Sequence, residues 1–341
     1  MTFITILIIV VFVVGYALIA LESATHINKA AVALLMCVAC WTLYMVHPAD
    51  YLPGVTTDLL SSRINTIIEE HLGSISTTLF FLMGAMTIVE VVDQYGGFNF
   101  VRDTLKTQSK RGLLWRVVAL TFILSAILDN MTTTIVMIMV LRKLVRDHSD
   151  RIIYASLIIL AANAGGAFSP IGDVTTIMLW NVGSITAAGV IEELLIPSAI
   201  SIFIPTLFLQ YKLHGALVEP DAATEETAAS VLSGWQHKAV FLLGVGGLIF
   251  VPIFRYLTDL PPFVGILLVL AVLWTVTELF FRLSKRAKTA GDMGKRVSQL
   301  LGRVDMSTIL FFLGILMTVA CLEEVGVLTV VGQGLDHTFH G

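Results

Sequence analysis

Apolar runs long enough to cross a hydrocarbon core of about 30 Å recur along the whole chain. They fall at residues 3–20, 28–46, 76–96, 152–180, 193–211, 238–256, 263–281 and 306–325, separated by short polar connections. The pattern predicts an all-α, polytopic membrane protein. One stretch departs from it. Between Leu113 and Gly183 two apolar blocks are each interrupted by residues that a lipid-facing helix tolerates least. The first interruption is Asp129-Asn130 followed by Thr132, Thr133 and Thr134. The second is Asn163, Gly165, Gly166, Ser169, Pro170, Gly172 and Asp173, with Thr175 and Thr176 after it. Unwound backbone survives inside a bilayer only where protein or a water-filled cavity satisfies its amides and carbonyls. Broken helices of this kind form ion and substrate sites, and a buried acid there is expensive enough to imply a function.

The basic residues give the chain its direction. Of the 21 Lys and Arg, most lie in three connections: Arg102 to Arg116, Arg142 to Arg151, and Arg282 to Arg303. The positive-inside rule places all three in the cytoplasm. Residues 113–141 therefore start and finish on one side, yet their arms of about 16 and 11 residues are each too short to span. A re-entrant hairpin with Asp129 and Asn130 at its tip satisfies both conditions. Residues 152–180 then cross as a discontinuous helix. Residues 47–75 carry Asp50, Asp58, Glu69 and Glu70 against Arg63 alone and read as external. Within them Val55, Leu59, Leu60, Ile64, Ile67, Ile68 and Leu72 share one helical face. That face suits a helix lying in the membrane interface or one packed on the other spans. Residues 216–234, acidic and Ala-rich, read as a flexible cytoplasmic linker.

Residues 76–87 (STTLFFLMGAMT) and 307–318 (STILFFLGILMT) share Ser-Thr, Leu-Phe-Phe-Leu and Met-Thr, and Trp41-Thr42 recurs as Trp274-Thr275 at nearly the same spacing. The loop charges orient the two copies oppositely, as in transporters built from inverted repeats. Counterparts of Asp129 and Asp173 would lie past Gly341, so the chain is expected to hold one full repeat and the opening of a truncated second.

Composition agrees with this picture. The 341 residues are 56% hydrophobic and 13% charged, with a mean hydropathy of +0.88, where a soluble domain carries about 25% charge. The apolar run after Met1 reads as a retained helix and not a cleaved leader. Cys37, Cys40 and Cys321 lie in apolar segments and offer neither a disulfide framework nor metal spacing. The histidines, at the ends of apolar blocks or in polar connections, receive no role.

The motifs AILDNMTTTIVM and NAGGAFSPIGDVTTIMLW resemble those of the NhaD-type sodium/proton antiporters. These belong to a wider ion-transporter group that includes arsenite pumps and sodium-dicarboxylate carriers. The resemblance covers the chain as the first three quarters of a longer member. It implies a scaffold of residues 1–112 and 238–341, a first half of a mobile transport domain at 113–214, a linker at 215–237, homodimers and an elevator motion. It also implies ion and proton sites at Asp129, Asn130, Thr132 and Thr133 on the hairpin tip, and at Asn163, Ser169, Asp173, Thr175 and Thr176 along the broken helix.

On this reading sodium or lithium competes with protons for Asp129 and Asp173. Desolvation favours the protonated acid when the metal ion is absent. Asp173 is the principal carrier expected. No enzyme activity, no nucleic acid and no cofactor beyond the transported ions is expected. The partners are membrane lipid and a second copy, and the location is the cell inner membrane, multi-pass. The rival readings are a sodium-coupled carboxylate symporter or arsenite transporter on the same scaffold, and an inactive truncated scaffold. An intramembrane aspartyl protease fits poorly: Pro170-Ile171-Gly172-Asp173 lacks the first glycine of a Gly-x-Gly-Asp site.

Overall fold

The computed structural model describes residues 2–52, 57–96, 104–105, 107–213, 215, 234–283 and 300–339. Among them the chain is helical without a strand. The principal helices are α1 (Phe3–Ala20), α2 (Lys29–Val46), α3 (Thr57–Gln94), α4 (Lys110–Ser125), α5 (Asn130–Leu144), α6 (His148–Ala167), α7 (Val174–Asn181), α8 (Ala187–Leu209), α9 (Gly234–Thr258), α10 (Pro262–Leu283), α11 (Met306–Glu324) and α12 (Val327–Phe339). Among the described residues seven helices are long and apolar enough to cross a membrane. The linker expected at 215–237 lies almost wholly outside the described residues, as does most of the third basic connection.

The chain divides into two compact units, Met1–Phe80 with Asp305–Gly341, and Phe81–Val304. In the first, α2 and α11 run parallel in close contact. Asn28 lies level with Ser307, their side chains 3.1 Å apart, and further along Trp41 donates its indole N–H to the Met317 carbonyl at 2.9 Å. The approach requires Gly314, because a Cβ there would sit 2.6 Å from the Ala33 carbonyl carbon. Small residues of this kind let helices pack where lipid removes the hydrophobic drive between them. Ile8, Met36, Cys40, Tyr44, Ile64 and Cys321 fill the resulting core.

Helix α3 corrects one expectation. The interfacial segment and the span after it form one continuous helix of 38 residues. At 1.5 Å per residue that is about 57 Å, longer than the ~30 Å hydrocarbon core. No proline interrupts it, and Gly73 is tolerated within the helix. Of the predicted apolar face Leu60, Ile64 and Ile67 are buried, with Ile64 and Ile67 in the first unit's core and Ile68 packed against it, whereas Leu59 and Leu72 are exposed and Val55 lies outside the described residues.

In the second unit the hairpin can be read from contacts. The Tyr154 hydroxyl donates to the Lys110 carbonyl at 2.7 Å, and Lys110 pairs with Asp150 at 2.6 Å, so α4 and α6 start together. Ser125 at the end of α4 donates to the Ala162 carbonyl, so the two helices run parallel. Helix α5 begins beside Asn163 and ends only three residues before α6 begins, so it runs antiparallel to both. Helices α4 and α5 are therefore a hairpin, open at the Lys110 end and turning at residues 126–129. Its arms of 16 and 15 residues reach about 24 Å and 22 Å, each short of the ~30 Å a span requires.

The second break is narrower than the sequence pattern suggests. Asn163, Gly165 and Gly166 remain inside α6, which ends at Ala167, and only residues 168–173 are non-helical. Tertiary packing overrides the weak helix propensity of glycine. A Cβ on Gly165 would lie 2.2 Å from the Phe122 carbonyl oxygen, and one on Gly172 would lie 2.4 Å from that of Ser125. The helix stops where Pro170 removes an amide donor and disfavours helical backbone at Ser169.

Candidate functional site

The hairpin tip is built by a cap. Asp129 takes extended backbone (φ −67°, ψ 154°) at the N-cap of α5. Its carboxylate accepts the Thr132 amide at 2.8 Å and the Thr132 hydroxyl at 2.5 Å. This satisfies one of the unpaired amides at the helix start and places a negative charge at the positive end of the helix dipole. Two of its roughly four lone-pair positions remain.

The next residues divide by role. The Thr134 hydroxyl returns to the Asn130 carbonyl at 2.7 Å. Thr133 is fully buried, and its hydroxyl has no hydrogen-bond partner among the described residues. Asn130 donates from Nδ2 to Oδ1 of Asn163 at 3.1 Å, and Asn163 donates in turn to the Ile159 carbonyl at 2.8 Å. The tip is thus tied to α6 one turn before that helix breaks.

At the second break Asp173 holds the N-cap position of α7 in extended backbone (φ −139°, ψ 144°), yet its side chain caps no backbone amide. Among the described residues the carboxylate accepts only the Thr175 hydroxyl, at 2.8 Å. The loop closes through carbonyls instead: the buried Thr176 hydroxyl donates toward the Ser169 carbonyl at 2.9 Å and that of Asp173 at 2.8 Å. The Ser169 hydroxyl accepts the Ile171 amide at 3.3 Å. Phe168 stacks on Phe122 with ring centroids 5.0 Å apart, which docks the break against α4.

A cavity of about 20 Å³ lies against Asp129, among the described residues the only charged or polar one lining it. That exceeds the ~10–15 Å³ needed for one water-sized occupant. Its walls are Leu82, Ala85, Met86 and Val89 from α3, Ile127 and Leu128 from the tip, Ile171 and Ile177 flanking Asp173, and Leu248 from α9. The tip and the break therefore border the same space. No hydrogen bond joins Asp129 to Asp173 among the described residues.

The nine residues singled out in the sequence thus fall into two groups. Asp129, Asn130, Thr132, Thr133 and Asn163 form the tip with its anchor on α6, while Ser169, Asp173, Thr175 and Thr176 form the break. Two further contributors went unremarked. Ser125 carries the bond that sets the hairpin's height, and its signal was a serine in the apolar run LTFILSAIL. Arg255, a cation near the end of the apolar run of α9, binds the far end of α7.

Comparison with known proteins agrees with this architecture. Residues 5–340 match the family model described as citrate transporter. Sodium/proton antiporter 1 of Arabidopsis thaliana is 40% identical over 329 residues, covering 95% of this chain and 54% of that protein. Sodium/proton antiporter 2 of the same plant is 38% identical over 332 residues, covering 95% and 74%. The Na(+)/H(+) antiporter NhaD of Alkalimonas amylolytica is 28% identical over 361 residues, covering 98% and 70%. The chain spans about half the length of the first of these and roughly three quarters of the others. It is a multi-pass membrane protein, it is similar to these sodium/proton antiporters, NhaD among them, and it belongs to the citrate transporter family.

Proposed function

We propose that the protein exchanges sodium or lithium for protons across the cell membrane, with Asp173 as the principal carrier and Asp129 the second. One observation supports this above the rest: Asp173 stands where a capping residue belongs and does not cap. Its carboxylate contributes nothing to starting α7 beyond favourable charge at the helix end, which leaves it free for a mobile cation. A sodium ion and a proton each neutralise the same carboxylate, so one excludes the other. Sodium also needs several oxygen ligands. The unwound backbone at 168–173 and the hydroxyls of Thr175 and Thr133 are of that chemistry, as are the side-chain oxygens of Asn130 and Asn163.

In the proposed cycle sodium displaces the proton on one side of the membrane. The hairpin and broken helix then change exposure, and the reverse exchange follows. The two motifs shared with NhaD-type members also support a homodimeric elevator, with Thr132, Ser169 and Thr176 holding the geometry of the breaks. The matched segments on α3 and α11 support an inverted second repeat.

A second reading follows from the family description. Half-helix N-termini suit anions, so a carboxylate symporter would use the same two breaks. Here both N-termini already carry a carboxylate, which opposes a second negative charge. In everted vesicles acidified by respiration and followed with a pH-sensitive dye, sodium is expected to release protons, and citrate, succinate or arsenite is not. Release by citrate without release by sodium would reverse the assignment.

A further inference from the structure

We propose that Arg255 is a positioning residue for Asp173, acting through the length of α7; this rests on the reading of Asp173 as an ion carrier. Helix α7 has only eight residues, about 12 Å of rod. Asp173 heads it, and Trp180 lies in its last turn. The Thr176 hydroxyl ties the near end to the Ser169 carbonyl, and the far end has a tie of its own. There Nη1 of Arg255, from α9, donates to the Trp180 carbonyl at 2.5 Å. The guanidinium also lies over the Trp180 indole, 4.8 Å from the ring centroid.

Trp180 is 3% exposed, so this is a packed contact and not a surface encounter. No carboxylate pairs with Arg255 among the described residues, which leaves the helix carbonyl and the indole face as its partners. A cation at a helix C-terminus complements the dipole, and cation–π attraction strengthens where water is excluded. Gly183, at φ +78°, ends α7 just beyond, and its amide reaches the same Trp180 carbonyl at 3.1 Å. One oxygen therefore fixes both where the rod stops and which neighbour holds it. Loosening this clasp lets α7 slide or rock, and the Asp173 carboxylate moves with it.

The test uses R255Q and R255K in the full-length protein, with two readouts. The first is the sodium KM and maximal rate of exchange in everted vesicles. The second needs no transport: the rate at which L179C reacts with a maleimide, in a background where Cys37, Cys40 and Cys321 are replaced by alanine. Leu179 lies on α7 and is 47% exposed.

R255Q is expected to raise the KM roughly fivefold to tenfold while the maximal rate stays within about twofold, and to speed labelling severalfold. R255K, which keeps the charge and the ring contact, recovers most of both. An unchanged KM and labelling rate in R255Q overturns the proposal, as does a failure of R255K to recover either. Should R255Q fail to accumulate in the membrane, the L179C protein carrying W180L, which loses the ring under the guanidinium, decides: it should label severalfold faster than the L179C protein with Trp180 intact, and labelling at that protein's rate overturns the clasp. If the wild-type protein shows no sodium-driven exchange, the antiport reading falls while labelling still decides the position of α7.

Discussion

The two breaks place the same residue at the same position and use it differently. Asp129 and Asp173 each head a helix from extended backbone. Asp129 spends its carboxylate on the Thr132 amide and hydroxyl, whereas that of Asp173 takes the Thr175 hydroxyl and no backbone amide. Location at a helix N-terminus inside a membrane protein therefore does not by itself separate a structural acid from a functional one. What separates them is whether the local backbone needs the side chain. By that criterion Asp129 has a structural task with capacity left over, and Asp173 has no structural task.

The most severe disruption is expected where the two breaks touch. Gly165→Val would set its Cβ against the Phe122 carbonyl at 2.2 Å, a backbone atom with little room to move. Overpacking of this kind costs about 1–3 kcal/mol even in cores able to adjust. Folded protein recovered in detergent should fall sharply, while Gly332→Val, in open space on α12, should leave it unchanged. Equal recovery of the two would mean that hairpin and broken helix are not held together as described.

Next in size is the cap itself. Asp129→Ala removes it and should lower thermal stability by about 1 kcal/mol, while Asp129→Asn, an equally good cap, should keep it. A comparable loss in both would show that the charge and not the cap holds the tip. Thr133→Val should act in the opposite direction. It removes a buried hydroxyl without a partner, so stability is expected to hold or to rise by up to about 1 kcal/mol, while the sodium KM increases. A stability loss with unchanged KM would make Thr133 a structural residue. The smallest effect belongs to Asn163→Ala, which loses one interhelical hydrogen bond worth about 0.6 kcal/mol in a membrane protein. A double-mutant cycle with Asn130→Ala should recover a coupling of that order.

Much of this was legible in the chain. The hairpin followed from two basic connections on one side of a segment whose arms cannot span, and contacts place its turn at 126–129, beside the predicted Asp129. The limits of the second break were not legible. Asn163, Gly165 and Gly166 look like a breach in a helix, but the Phe122 carbonyl occupies the space that a side chain would need, so glycine there serves packing and not unwinding. Helix α3 misled for a related reason: a polar stretch before an apolar span reads as a separate element, yet Leu60, Ile64 and Ile67 continue one helix into a core. Arg255 was passed over because a single cation near the end of an apolar run is ordinarily a membrane-interface residue. Only the position of Trp180 shows what it holds.

The difference between the two acids is tested most directly by sodium-dependent proton release from everted vesicles carrying Asp173→Asn. That substitution removes no cap, so the protein should accumulate and unfold as the wild type does while release falls to the level of vesicles lacking the protein. Wild-type release from a stably folded Asp173→Asn protein would contradict the account.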